Sequence, residues 1–201
     1  LTEGITSGRD SQGFYLKDTD ENVLTLNGES DYIEVPQSDV INNIYDTGGS
    51  IEAWIKPQSD GQSDGGRIYE KKQHNLLTHS ESGGNVKLQF YIKFTGADGT
   101  WDTGAVVPIN QWSHVIVTYD ADSVSNNPIL YIDGSSVSLT ESTTPTSTRE
   151  DDSTYPMQIG NNASPSRAFD GNIDDFRLYD RIITSTEVTK NYNAGLSKHR
   201  N

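Results

Sequence analysis

The run Phe169-Asp170-Gly171-Asn172-Ile173-Asp174-Asp175-Phe176-Arg177-Leu178-Tyr179-Asp180 decides the fold. Read as an extended strand from Ile173 to Tyr179, the residues fall alternately on two sides, one of them largely apolar. Under strict alternation Ile173, Asp175, Arg177 and Tyr179 fall on one side. Asp174, Phe176 and Leu178 fall on the other. That places a carboxylate on an otherwise apolar face, where it needs hydrogen bonds or a cation because an unpaired buried charge is costly.

Working outward, the same two-residue period recurs along the chain. Val23-Leu24-Thr25-Leu26 and Tyr32-Ile33-Glu34-Val35 flank Asn27-Gly28, a strong dipeptide signal for a tight turn, and predict a hairpin. Ser50 to Lys56 puts Ile51, Ala53 and Ile55 on one face and Glu52, Trp54 and Lys56 on the other. Ile68 to Lys71, Leu76 to Thr78, Val86 to Phe94, Trp112 to Tyr119, Ile129 to Ile132 and Met157 to Asn162 supply further strands. Thr95 to Gly104 and Thr140 to Ser153 read as polar loops, and Leu1 to Asn22 as a polar lead-in in which Gly13 to Leu16 alone has the character of a strand. One helix is predicted over Ser185 to Asn193, where Thr184 and Glu187 form a capping-box pattern. The tail Lys198-His199-Arg200 is expected to fray.

Strands never alternate with long helices here, which excludes parallel α/β architectures with phosphate-binding loops. The expected fold is all-β: a two-sheet antiparallel sandwich with one short C-terminal helix. The 201 residues form a single domain, with 1–22 as lead-in, 23–180 as sandwich and 181–201 as helix and tail.

Composition narrows function further. A formal net charge of −14 argues against nucleic acid or an anionic membrane surface as partner, because both are held by Lys and Arg clusters. No apolar run approaches the roughly 18 residues of a membrane helix, so no membrane insertion is expected. The absence of cysteine removes disulfides, thiolate catalysis and thiolate zinc sites together. Because it begins at Leu1 rather than Met, the chain is expected to be a processed protein or a domain of something longer.

Several runs, in order, resemble the laminin-G-like domains of the concanavalin A-like lectin and glucanase superfamily, in the form found in bacterial and phage proteins. They are Leu26-Asn27-Gly28 with Asp31 to Val35, Ile51 to Pro57, Trp112 to Asp120, Leu130 to Gly134, Gln158 to Asn161, and Gly171 to Tyr179 followed by the capped helix. The resemblance implies a jelly roll, often with a structural calcium ion, and a binding or adhesive role. It also implies that Asp174 holds a cation against the N-terminal turn, with Asn27, Gly28 and Asp31 as partners. Calcium takes such oxygen ligands. The alternative is that Asp174 caps backbone N–H groups without metal.

Glu29-Ser30-Asp31-Tyr32-Ile33-Glu34 resembles the carboxylate signature of laminarinase-like glycosidases. It follows the turn directly instead of lying within a strand, Ser30 stands where an aliphatic residue is expected, and Glu29 and Glu34 face opposite ways in an extended chain. No catalytic residue is assigned. The histidines show no metal-binding spacing, and no serine lies in a nucleophile-elbow motif.

Sugar recognition needs aromatic rings to stack on pyranose faces, with amides and carboxylates for the hydroxyls. Trp101, Tyr69, Tyr91, Gln89 and Asp102 are the candidate ligand-binding residues, with Trp54 as a further candidate for the lining. The expected function is a non-catalytic carbohydrate-binding or adhesion module, stabilised by calcium, at a cell surface or in a phage virion beside neighbouring chains. A structural domain without a small ligand and a laminarinase-like hydrolase are the alternatives.

Overall fold

The computed structural model describes residues 5–10, 13–18 and 23–199, with side chains from residue 23 onward. Arg200 and Glu21-Asn22 lie outside the described residues. In chain order the strands are β1 (Ile5–Asp10), β2 (Gly13–Asp18), β3 (Leu24–Asn27), β4 (Ile33–Val35), β5 (Gly49–Pro57), β6 (Gly66–Lys71), β7 (His74–Ser82) and β8 (Asn85–Ile92). They continue with β9 (Gly99–Asp102), β10 (Val107–Pro108), β11 (Ser113–Tyr119), β12 (Ile129–Ile132), β13 (Ser135–Val137), β14 (Thr140–Thr143), β15 (Met157–Ile159) and β16 (Asp170–Tyr179). The helix α1 (Ser185–Gly195) runs two residues past the predicted end.

Two antiparallel eight-stranded sheets face each other. The first runs β1-β2-β16-β5-β11-β12-β13, with β3 also on β16; the second runs β14-β9-β8-β7-β6-β15-β4, with β10 also on β8. Residues 5–10 and 13–18 of the lead-in therefore belong to the first sheet, since β1 pairs with β2 and β2 pairs with β16 at Phe14 and Tyr15. The two-residue period explains the core between the sheets. Ile51, Ala53 and Ile55 of β5, Val115 and Val117 of β11, and Leu88, Phe90 and Ile92 of β8 all turn inward and are buried.

The strand that opened the sequence reading sits at the centre of the first sheet, but its alternation breaks. Opposite Trp54 and Glu52 of β5 the register shifts between Asp174 and Arg177, so one extra residue is accommodated as a β-bulge. Asp175 takes φ +46° there. The bulge puts Ile173, Phe176 and Leu178 together in the core. Asp174 is thus turned away from Phe176 and Leu178, contrary to the strict alternation.

The predicted hairpin at Asn27-Gly28 does not form either. β3 pairs with β16 in the first sheet and β4 with β15 in the second, so the turn arches over the edge of the sandwich. Asn27 Oδ1 holds the arch by accepting from the backbone N–H groups of Glu29 (2.9 Å), Ser30 (3.0 Å) and Asp31 (3.3 Å). Thr140 to Ser153 is likewise more than a surface loop: its first residues form β14 against β9, and Arg149 and Asp152 are buried.

Gly171, the second residue of β16, has φ +138°, and a Cβ there would stand 2.2 Å from the Lys56 carbonyl oxygen on β5. Both features require glycine. Gly171→Ala is expected to cost about 2 kcal/mol of stability, read as a lower urea midpoint at an unchanged m-value.

Candidate functional site

The two sheets differ in what covers their outer faces. Outside the first sheet, α1 packs on Ile116, Tyr131 and Tyr179 through Val188. The helix starts as its sequence dictates, with the Thr184 hydroxyl accepting from Glu187 N–H (3.3 Å) and the Glu187 carboxylate accepting from Thr184 N–H (2.8 Å). Beneath it Glu52 is fully buried. Its carboxylate accepts from His114 Nε2 (2.9 Å), Arg177 Nη1 (3.0 Å), Tyr179 OH (2.7 Å) and Asn191 Nδ2 (2.8 Å). Burial alone would raise the Glu52 carboxyl, but these donors outweigh it and hold it below its ordinary value.

The tail docks beside this network instead of fraying. His199 stacks on Trp54 with ring centroids 4.3 Å apart, and its Nε2 lies 2.8 Å from Asp174 Oδ2. Lys198 Nζ lies 2.7 Å from the same oxygen, and Asp174 Oδ1 accepts from Asp175 N–H (2.8 Å). Trp54 is therefore closed off under the helix and tail.

These contacts decide the fit of the expected calcium set. Asp170, not Asp174, pairs with Asn27 across the strands. Asp174 is four residues further along β16, roughly 13 Å away at the rise of a strand. Its oxygens are taken by an ammonium, an imidazole and an amide, and Asn27 Oδ1 is taken by its own turn. Asp174, Asp31, Asn27 and Gly28 do not gather round one point, so they do not form an oxygen cage for calcium. Asp174, Asp175 and His199 do bring ligand atoms within 4.8 Å of one another, but the Lys198 charge sits on the same carboxylate.

Outside the second sheet no helix lies among the described residues. Along β8 the inward residues are fully buried, while Lys87, Gln89 and Tyr91 turn outward and are half-buried. Tyr91 OH donates to Asp98 Oδ2 (2.7 Å), and Asp98 Oδ1 accepts from Phe94 N–H (3.0 Å), so the ring is held at a fixed angle. Burial first, and then Asp98, push the Tyr91 phenol well above its ordinary value, which keeps it a neutral donor. Beside it Gln89 Nε2 donates to Asp102 Oδ1 (2.8 Å), and His79 Nε2 lies 3.0 Å from that oxygen. Ser142 Oγ donates to Asp102 Oδ2.

Three of the five expected sugar-binding residues, Gln89, Tyr91 and Asp102, thus share one outward patch. The other two do not join it. Trp101 is 1% exposed because it belongs to strand β9, whose alternation turns Thr100 and Asp102 outward and the indole into the core. There it packs on Tyr119 (5.4 Å) and Phe90 (6.1 Å) and donates Nε1–H to Asn127 Oδ1 (2.8 Å). Tyr69 is fully buried: a register shift between Arg67 and Tyr69 turns it inward, where its hydroxyl meets Tyr45 OH and His74 Nδ1, each at 3.1 Å.

The register also reveals residues the sequence reading passed over. Glu34 of β4, Gln158 of β15, Glu70 of β6, Asn75 of β7, Tyr91 of β8 and Thr100 of β9 stand directly opposite one another in succession. They form one row across the outer face. Of the carboxylates of the glycosidase-like string, Glu29 and Asp31 are exposed on the arch away from this row, while Glu34 ends the row on an edge strand, accepting from Gln158 Nε2 at 3.2 Å.

Comparison with known proteins follows the same lines. No curated protein matches the chain. Among solved structures it is similar to the binding domain of Paraclostridial Mosquitocidal Protein 1, with 17% identity and a TM-score of 0.61 over 96% of this chain and 46% of that one. It is also similar to domain 4 of AbnA, a GH43 extracellular arabinanase from Geobacillus stearothermophilus solved with arabinotriose, at 21% identity and a TM-score of 0.56, covering 92% of this chain and 80% of that one. A third is a candidate carbohydrate-binding protein from Bacteroides ovatus, at 18% identity and a TM-score of 0.59, covering 84% and 47%. The chain spans about half the length of the first and third of these. At such identities the likeness shows the fold. A model of the concanavalin A-like lectin/glucanases superfamily, of laminin-G type, matches residues 27–189. With that match over most of its length and the sandwich just described, the chain belongs to the laminin-G-type family of the concanavalin A-like lectin/glucanases superfamily.

Proposed function

We propose that this chain is a glycan-binding module that holds its ligand without cleaving it, acting outside the cell at a cell or virion surface. The observation that carries this reading is the asymmetry of the two outer faces. The first sheet is closed by α1 and the docked tail, whereas the second presents Tyr91, braced by Asp98, beside the Gln89 amide and the Asp102 carboxylate. A braced ring loses little freedom on stacking against a sugar. The arabinotriose bound to the similar AbnA domain and the carbohydrate-binding description of the Bacteroides ovatus protein support the same reading. Among the described residues no helix is long and apolar enough to cross a membrane.

One observation favours the competing reading, a structural domain without a small ligand: Asp102 already accepts from Gln89 on one oxygen and Ser142 on the other, so the protein itself satisfies much of that carboxylate. A glycan array combined with a reducing-sugar assay separates the readings. Binding without turnover is expected; turnover would identify a hydrolase, and neither would favour the structural domain. Tyr91→Ala is expected to weaken binding of the best array ligand roughly tenfold with an unchanged circular dichroism spectrum.

A further inference from the structure

We infer that the open edge of β4 is a docking site for an extended segment of another protein in which Lys or Arg alternates with branched apolar residues, added to the second sheet as a further strand. Four strands from Tyr91 of β8, this edge serves independently of the glycan-binding reading.

β4 ends the second sheet. It pairs with β15 on one side, and among the described residues no strand lies on the other. Across the mouth of the sandwich, β3 pairs with β16 alone. The arch at Asn27 and Gly28 sends β3 and β4 into opposite sheets, which in a sandwich stand roughly 10 Å apart, so neither strand satisfies the free edge of the other. Between them runs a cleft of about 510 Å³, lined by Leu24 to Leu26 and Asp31 to Glu34. A free strand edge presents backbone N–H and C=O groups at the spacing of an extended chain, which makes it a template for one more strand.

The side chains set the chemistry of that strand. Alternation along β4 turns Tyr32 and Glu34 toward the outer face and Ile33 and Val35 toward the core. Tyr32 is 44% exposed, and Leu24 and Ile33 pack against the core while still partly uncovered. An added strand has the same two sides. Its inward residues cover Leu24 and Ile33, a place for branched apolar side chains. Its outward residues flank Tyr32 and Glu34, where an ammonium or guanidinium meets both a carboxylate and the face of a phenol ring. Asp31 accepts from Asn27 N–H and Glu34 from Gln158 Nε2, each at 3.2 Å, and among the described residues no Lys or Arg pairs with Glu29, Asp31 or Glu34.

Those charges also select against a second copy of this chain. Joining two β4 edges would bring the Asp31 and Glu34 of each copy against those of the other, and like charges across a strand pair are destabilising. A net charge of −14 on each copy adds to the repulsion, whereas a basic strand is complementary to the edge and to the whole chain. Asp31 to Val35 spans roughly 13 Å at the rise of a strand, which fits a short segment.

The test is fluorescence anisotropy of the full chain with a labelled, capped peptide Gly-Lys-Val-Lys-Ile-Lys-Val-Gly, compared at one ionic strength with the same peptide carrying Glu for Lys. The lysine peptide should bind roughly tenfold or more tightly, that ratio being what one charge-assisted hydrogen bond is worth. Two N-methylated forms, one blocked at the Lys amides and one at the Val and Ile amides, separate strand addition from charge attraction. Successive N–H groups of a strand point to opposite edges, so one form should lose about tenfold in affinity and the other keep it. Equal binding by both forms overturns strand addition. Equal binding of the Glu and Lys peptides overturns the basic partner, as does the absence of saturable binding below about 1 mM. Displacement of the peptide by an equal concentration of spermidine or glucosamine would reveal a site for amines in general and overturns it too. Glu34→Lys should weaken the lysine peptide roughly tenfold and Tyr32→Ala about threefold. Both residues are exposed, so an unchanged circular dichroism spectrum is expected, and unchanged affinity in both variants overturns the placement at β4.

Discussion

Trp101→Ala is expected to cost about 3–5 kcal/mol of folding stability, lowering the melting temperature by roughly 10 °C for a domain of this size. Residual glycan binding per folded molecule should be unchanged. The indole packs between Phe90 and Tyr119, and its removal also leaves Asn127 Oδ1 without the Nε1–H donor it now has at 2.8 Å. The neighbouring glycine makes the test specific. A Cβ on Gly99 would lie 2.3 Å from Trp101 Cη2, so Gly99→Ala forces the ring to move in the native background. In the Trp101→Ala background that obstacle is gone. The two substitutions should therefore cost less together than the sum of their separate effects, by about 1 kcal/mol or more. Equilibrium urea denaturation of the four proteins measures this directly. A stable Trp101→Ala protein that has lost binding would return the indole to the ligand site.

That residue also shows where sequence reasoning reaches and where it stops. Strands whose two-residue period is local were legible: Ile51, Ala53 and Ile55 face the core, Glu52 and Trp54 face out, and the Thr184 capping box starts the helix. Trp101 was misplaced because the glycines and aspartates around it have the composition of a loop, although Gly99–Asp102 is a strand. The bulge at Asp174 and Asp175 did leave a trace, two aspartates side by side that set Ile173 and Phe176 three residues apart, but strict alternation reads through it; pairing with β5 exposes the extra residue. The β3 to β4 connection failed for a similar reason. A turn dipeptide specifies a reversal but not which sheet receives the second strand.

The candidate site divides the same way. Gln89, Tyr91 and Asp102 were found because their residue types suit sugar chemistry. Glu70, Asn75 and Gln158 were passed over as ordinary polar residues, and they became a row only through the register of β15, β6 and β7. Asp152 was hidden most completely, in a segment of serine, threonine and charge that reads as solvent-exposed. Its partner Lys71 is 81 residues away.

Asp152→Ala is accordingly expected to destabilise the fold by about 3–5 kcal/mol, the cost of leaving a buried cation without its counter-charge. Asp152 is fully buried, and its Oδ1 accepts from Lys71 Nζ (2.5 Å) and Asn43 N–H (2.9 Å), while Oδ2 accepts from Arg149 Nη1 (3.2 Å). Lys71 Nζ completes its set with the Asp152 carbonyl (2.6 Å) and Asn42 Oδ1 (3.0 Å). The two partners lean differently: burial pushes the Lys71 ammonium below its ordinary value against the pull of Asp152. Three oxygen acceptors around Nζ suit an ammonium, so the charged pair is the form the geometry supports. Burial alone would raise the Asp152 carboxyl, but the His74 ring and the Lys71 ammonium outweigh it and hold it far below the carboxylate range. Burial also pushes His74 down, so near neutrality Lys71 and Arg149 supply the counter-charge.

A carboxylate depressed in the folded state contributes stability above its unfolded value, near 3.9 for aspartate, and loses it as pH falls toward the folded value. The native chain should therefore lose stability progressively below about pH 4, with Glu52 and Asp174, which are depressed as well, adding to the slope. Asp152→Ala should start from lower stability at neutral pH and decline less steeply in acid. Lys71→Met should be the milder change, because Asp152 keeps Arg149 and the Asn43 amide. Urea denaturation from about pH 2 to pH 7 reads both quantities. Equal losses at neutral pH with parallel acid limbs would show that Asp152 acts by packing alone and that the ion pair contributes nothing to holding the 149–153 segment against β6.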